Sequence, residues 1–175
     1  MEGFEQETDA RRGKGAFKKI MGAMDALKEH GVLFGFSATV TRTNNEFVVS
    51  DDFVDFYEKK GCSVGWYFNY VPVGRNPIID LMPTPEQRIE RGRRLSALRE
   101  TRDMVLADFW NDGALTGGCI AGGRSYLHIN SNGDFEPCVF THFALHNIYD
   151  HTLKEVVASG FFRAIRERVP YCDNL

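Results

Sequence analysis

The chain has 175 residues, 43% apolar and 13% aromatic, enough for one domain or one and a half with a real core. A formal net charge of −3 gives no electrostatic case for a nucleic-acid partner, and no stretch approaches the roughly 18 consecutive apolar residues of a membrane span. Met1-Glu2-Gly3-Phe4-Glu5 has neither the basic start nor the apolar core of a signal peptide. The expected compartment is therefore the cytoplasm, where the four cysteines are metal ligands or reduced thiols instead of disulfides.

Helical and strand patterns alternate along the first two thirds. Phe17, Ile20, Met21, Met24 and Leu27 recur at helical steps, with Gly31 placed as a C-cap. Val32 to Val40 reads as a buried strand. Ser50 can cap a helix that runs to Lys60, turns Phe53, Val54, Phe56 and Tyr57 inward and closes at Gly61. Val64 to Val71 reads as the next strand. Thr84-Pro85-Glu86-Gln87 combines a capping box with proline at the first helical position, and that helix is expected to reach about Asp103. Its arginines at 88, 91, 93, 94, 99 and 102, interleaved with Glu86, Glu90, Glu100 and Asp103, predict a solvated face with local ion pairs. Met104 to Phe109 resembles a third strand. Helix–strand alternation of this kind predicts parallel strands joined by crossover helices.

The Asn/Asp/Gly cluster from Asn111 to Gly118 marks the expected boundary, with domains at 1–112 and 113–175. Beyond it, Tyr126-Leu127-His128-Ile129 alternates as a strand, and Asn132-Gly133 suits a tight turn with positive φ at both corners. Cys119 and Cys138 flank this hairpin, so it can bring two thiols to one point, and soft sulfur donors suit an iron–sulfur cluster or zinc. Two structural thiols beside an ordinary hairpin would show the same spacing. His142 and His146, one helical turn apart, make a Cys/His zinc site with Cys138 conceivable. Thr152 to Glu155 is a further capping box, and Ser159-Gly160 interrupts the helical stretch that follows.

The spacing C-x13-G-x4-C over Cys119, Gly133 and Cys138 resembles the opening of the SPASM/twitch auxiliary iron–sulfur domain of radical S-adenosylmethionine enzymes. The resemblance continues through Asn147-Ile148, Leu153-Lys154-Glu155-Val156 and Phe161-Phe162-Arg163-Ala164-Ile165-Arg166 to Pro170. Upstream, residues 2–17, from Glu2-Gly3 through Asp9 and Arg12-Gly13 to Phe17, are similar to the segment after the third strand of such barrels. Thr39 to Asn44 looks like the end of the fourth strand, and Asn69-Tyr70-Val71-Pro72-Val73-Gly74 like the end of the fifth.

The resemblance implies an α/β fold, the C-terminal half of a partial (β/α)6 barrel followed by a small α+β hairpin-and-helix module. It implies an auxiliary [4Fe–4S] cluster on Cys119, Cys138 and Cys172, and S-adenosylmethionine bound in the complete enzyme by a pocket that includes Arg12, Thr43, Asn44 and Val71. Arg12 matches the family arginine that contacts the cofactor's methionyl carboxylate. The complete enzyme would form a 5′-deoxyadenosyl radical and abstract hydrogen from a peptide or protein substrate. The C-x3-C-x2-C triplet that holds the family's radical-initiating cluster is not among the cysteines at 62, 119, 138 and 172. The chain is accordingly expected to be an internal fragment or a truncated product of a longer enzyme, inactive alone and with an incomplete cluster. No catalytic residue is assigned. Cys62 opens a predicted buried strand and is expected to be an inert core thiol. The other function classes are a structural zinc module and a metal-free α/β interaction protein.

Overall fold

Residues 1–74 and 76–168 are described by the structure, a computed structural model, and they divide into two units, Met1–Asp112 and Gly113 onward. Among them, no helix is long and apolar enough to cross a membrane.

The first unit follows the alternation in the sequence. After α1 (Glu5–Arg12) and α2 (Ala16–Glu29) come β1 (Gly35–Val40), α3 (Asp51–Lys60), β2 (Val64–Asn69), α4 (Pro85–Arg99) and β3 (Val105–Asp108). The sheet order is β1-β2-β3 and both pairings are parallel, with Gly35 opposite Val64 and Val64 opposite Val105. The backbone at Met1 adds a further parallel rung beside β1: its carbonyl accepts the Thr39 N–H at 3.0 Å, and its ammonium donates to the Ser37 carbonyl. One sheet face, carrying Phe36, Ala38, Val40, Tyr67 and Leu106, is buried with Phe53, Val54 and Tyr57 of α3 and Leu95 and Leu98 of α4. Each of these large side chains contributes about 1.5–3 kcal/mol by leaving water. On the opposite face, Trp66 and Phe68 of β2 pack against Phe109 with their rings tilted to one another, and Trp66 is 42% exposed.

The caps read from sequence are present. The Ser50 hydroxyl accepts the Phe53 N–H, Gly61 closes α3 in the left-handed region, and Thr84 and Gln87 make a reciprocal capping box. The strand edges are shorter than the apolar runs. Val32 to Phe34 are not strand, and Leu33 is 82% exposed. Pairing starts at Gly35, where an added Cβ would lie 2.1 Å from the Val64 carbonyl oxygen, so only glycine allows that approach. Helix α4 ends at Arg99 instead of near Asp103, and α1 had no periodic apolar signal at all. Its cues are electrostatic: Glu5 and Glu7 in the first turn, Arg11 and Arg12 in the last.

The short link between α1 and α2 is fastened by Asp9, whose carboxylate accepts the Phe17 and Gly15 backbone N–H groups at 2.8 and 2.5 Å. These bonds, Phe17's first, hold the Asp9 carboxyl below its ordinary range. A depressed folded-state pKa gives stability that is present above the unfolded value of about 3.9 and is lost as pH falls through the folded value. Asp9→Ala is therefore expected to lower the thermal midpoint at neutral pH. The gap from the parent should close on acidification, as followed by circular dichroism melts.

The second unit holds α5 (Gly113–Thr116), the antiparallel hairpin β4 (His128–Ile129) and β5 (Phe135–Glu136), and the helices α6 (Leu153–Ala158) and α7 (Gly160–Arg168). Phe135, Val156 and Phe162 form its buried centre, with Leu127 and Phe161 against them. The hairpin turn is not the two-residue form expected from Asn132-Gly133. Only Gly133 has positive φ, at 87°, and the loop spans three residues between Asn130 and Asp134. Asn130 selects it: its side-chain oxygen accepts the N–H groups of both Asn132 and Asp134, and Gly133 takes the left-handed bulge position. The segment carrying His142 and His146 is not helical, so the expected one-turn relation between them does not exist.

Candidate functional site

In the first unit, three of the residues expected to face a cofactor, Thr43, Asn44 and Val71, lie just past the carboxyl ends of β1 and β2, the edge where parallel α/β sheets place ligands. Arg12, at the end of α1, pairs with Glu2: Nε and an Nη each approach the carboxylate at 2.8 Å. Glu2's side chain is 5% exposed and Arg12's 45%. The bidentate bond raises the Arg12 pKa further above its already high value. One edge of the Arg12 fork is thereby engaged within the chain. Asn44 is buried; its amide donates to the Glu2 and Thr39 carbonyls at 2.8 and 3.0 Å, and its oxygen accepts the Thr41 N–H at 2.7 Å. It staples the Glu2 backbone to the end of β1. Thr43 is exposed, with its hydroxyl 3.0 Å from that of Thr41. Val71 is half-buried just past β2 and accepts the Val73 N–H at 2.8 Å. Next to it, the Tyr70 ring lies 5.5 Å beneath the Arg11 guanidinium.

The arginine run on α4 overturns the reading of a solvated face with local pairs. Arg91 is fully buried. Its guanidinium bonds Asp108 at 2.8 Å, Asn69 at 2.6 Å and Asn45 at 2.9 Å, clasping residues at the end of β3, the end of β2 and the loop after β1. Arg94 and Arg102 reach Asp51, Arg99 reaches Asp112, and the only in-helix pair among the described ones is Arg93–Glu90. The signal for Arg91 was in its position: it shares an i, i+4, i+7 stripe with Leu95 and Leu98, the core face of the helix.

In the second unit, the two hairpin cysteines are free thiols of intermediate burial. A 2.8 Å bond from the Gly122 N–H to the Pro137 carbonyl ties the loop after Cys119 to the residue before Cys138. The Cys119 carbonyl accepts from Arg124 at 2.9 Å, and the Tyr126 hydroxyl lies 3.3 Å from Cys138 Sγ. Two soft, reachable donors on adjoining segments fit part of a thiolate-ligated metal group. Among the described residues, no group of three or more His, Cys, Asp or Glu could hold a metal ion, and Cys172 lies outside the described residues. Cys62 is buried in the first unit, and burial pushes its thiol up to about 11. Iodoacetamide at mildly alkaline pH should therefore label Cys119 and Cys138 and spare Cys62 until the chain is unfolded, as peptide mass mapping would show. Native labelling of Cys62 at the rate of the other two would contradict this burial.

Known proteins match the same pattern. The model of SPASM, an iron–sulfur cluster-binding domain, matches residues 119–174. The chain is 27% identical to the AdoMet-dependent heme synthase of Oleidesulfovibrio alaskensis, over 90% of this chain and 46% of that one. It is 29% identical to the serine-type anaerobic sulfatase-maturating enzyme of Bacteroides thetaiotaomicron, over 57% of this chain and 20% of that one. The chain thus spans about half or less of the curated relatives it matches. Its fold is similar to that of Streptococcus suis SuiB, with a TM-score of 0.68 at 14% identity, covering 95% of this chain and 44% of that chain. It is likewise similar to anSMEcpe with bound AdoMet, with a TM-score of 0.67 at 18% identity, covering 93% and 48%. Residues 119–174 thus match the SPASM iron–sulfur cluster-binding domain, and the parallel α/β unit with the hairpin between Cys119 and Cys138 has a fold similar to that of SuiB and anSMEcpe.

Proposed function

We propose that these residues are the part of a radical S-adenosylmethionine enzyme that joins one side of the cofactor pocket to the start of an auxiliary iron–sulfur site. The observation that carries the reading is the hairpin, whose Gly122–Pro137 bond holds the two thiol-bearing segments side by side. Cys119 and Cys138, with Cys172, are assigned to a [4Fe–4S] cluster, and residues 113–175 to the SPASM-type domain. Residues 1–112 are assigned to the barrel half. Arg12, Thr43, Asn44 and Val71 are assigned to the S-adenosylmethionine side, with Arg12 presenting the rest of its guanidinium to a carboxylate.

When bound, the cluster and S-adenosylmethionine supply one-electron chemistry that ends in hydrogen abstraction from a substrate. The chain's own residues bind and orient: Glu2 fixes the Arg12 guanidinium, Asn44 fixes the loop after β1, and Arg91 fixes the strand ends beneath it. The 175 residues contain no C-x3-C-x2-C run, so cleavage of S-adenosylmethionine is assigned to the whole enzyme and not to this stretch alone. A peptide is the proposed substrate class, supported by the likeness to SuiB, whose structure is known bound to its precursor peptide SuiA, and to anSMEcpe, known with a bound Cp18Cys peptide.

The test is anaerobic reconstitution of the chain with iron and sulfide, followed by metal analysis and an absorbance scan. Iron accompanied by the broad visible band of an iron–sulfur cluster is expected. Zinc alone, or no metal, would sink the reading in favour of a zinc module or a metal-free protein.

A further inference from the structure

Tyr126 joins the two thiol-bearing segments. Its backbone belongs to the Cys119 side: the Tyr126 carbonyl accepts the Gly123 N–H at 2.9 Å, and the Ser125 N–H just before it donates to the Ile120 carbonyl at 2.9 Å. Its hydroxyl belongs to the other side, 3.3 Å from Cys138 Sγ. One residue thus reaches from the loop after the first cysteine to the sulfur of the second.

That loop is anchored, so the hydroxyl is held at the sulfur. Arg124 donates to the Cys119 carbonyl at 2.9 Å and to the Arg166 carbonyl of α7 at 2.7 Å, and the Gly122 N–H holds the Pro137 carbonyl at 2.8 Å. On the other side of Tyr126, Leu127 packs against the buried centre of Phe135, Val156 and Phe162. Among the described residues, no other hydrogen bond reaches Cys138 Sγ. A thiol can take either part in such a bond, but a thiolate has no proton and only accepts. With Cys138 as a metal ligand, the phenolic O–H is therefore the donor. A hydrogen bond to an anionic acceptor strengthens as negative charge on that acceptor grows. Reduction of an iron–sulfur group puts part of the added charge on its thiolates, so this bond favours the reduced state.

We infer that Tyr126 is a positioning residue of the auxiliary site, its hydroxyl donating to the Cys138 thiolate and raising the reduction potential of the iron–sulfur group held there. The inference rests on the assignment of Cys138 to such a group. Tyr126 keeps its proton throughout: the phenol is not oxidised, and it acts only through the sulfur it touches. Its half-buried ring and anchored backbone fix the direction of the O–H before any metal arrives.

The test is a redox titration of the anaerobically reconstituted 175-residue chain, read by electron paramagnetic resonance, with circular dichroism to check the fold. Three chains are compared: the parent, Tyr126→Phe, and a chain with 3-fluorotyrosine in place of Tyr126. Tyr126→Phe keeps the ring and removes the O–H. Its midpoint potential should fall, and an about tenfold loss of preference for the reduced state corresponds to about 59 mV for a one-electron couple. Fluorine makes the hydroxyl a stronger donor, so at neutral pH the fluorotyrosine chain should shift upward. Opposite shifts from two rings of nearly equal size are not what a change in packing produces. The iron–sulfur stretching bands in resonance Raman should also move on transfer to deuterated buffer by more in the parent than in Tyr126→Phe. If the phenylalanine chain folds without keeping its iron, the fluorotyrosine chain, which retains the hydroxyl, decides the matter by its upward shift or the lack of one. A parent that takes up no iron would remove the metal reading and this inference with it. A parent that holds its cluster, with equal potentials in all the loaded chains or shifts of one sign in both variants, would overturn the inference alone.

Discussion

Arg91→Leu is expected to destabilise the first unit by about 3–5 kcal/mol, the cost of leaving a buried charge without its partner. Asp108 would remain with its side chain 1% exposed, and the side-chain oxygens of Asn69 and Asn45 would each lose their guanidinium donor. The Asn111 amide and the Trp110 and Asn111 N–H groups still bond Asp108, so its carboxylate stays in place but uncompensated. A loss of this size is a large fraction of a domain's stability. Urea unfolding should show the midpoint collapse, whereas Arg93→Leu, at an exposed pair 3.4 Å from Glu90, should change the unfolding free energy by less than about 0.5 kcal/mol. Comparable midpoints for the two variants would mean that the buried clasp is not what joins the strand ends.

The second expectation concerns iron. Joint replacement of Cys119 and Cys138 by serine should reduce iron taken up on anaerobic reconstitution to background, because a serine hydroxyl is harder and far less acidic than a thiol. Cys62→Ser should leave uptake unchanged, since that thiol is buried in the first unit and belongs to its hydrophobic core. The double variant should keep its fold, because the second unit's centre is Phe135, Val156 and Phe162, not the thiols. Circular dichroism separates loss of metal from loss of structure. Undiminished iron in a folded double variant would remove the cluster assignment.

The order of helices and strands was legible because each element carries its own local chemistry. Ser50, Gly61, Thr84-Pro85 and Thr152 mark ends by caps that need no distant partner. The thiol-flanked hairpin was legible for the same reason, although its turn type was not: Asn130, two residues before the Asn-Gly pair, decides it through its side chain. Among the residues expected to face a cofactor, Arg12 and Asn44 stood out in the sequence, but their partner did not. Both are tied to Glu2, ten and 42 residues away in the chain.

Arg91 marks where local reading stops. Charge spacing along α4 predicts solvent for every arginine on it, yet the one on the stripe with Leu95 and Leu98 is carried into the core and met there by three polar groups. The same holds for Glu136, an ordinary strand residue in the sequence, which folding leaves with its side chain 5% exposed and one oxygen without a hydrogen-bond partner among the described residues. Periodicity, caps and cysteine spacing are short-range properties, so the sequence by itself determined most of the elements, α1 excepted, their parallel order and the cysteine-flanked hairpin. Whether a charge is solvated or buried, and what it meets, depends on segments brought together from 17 to 46 residues apart, as at Arg91, and only the tertiary structure decided that.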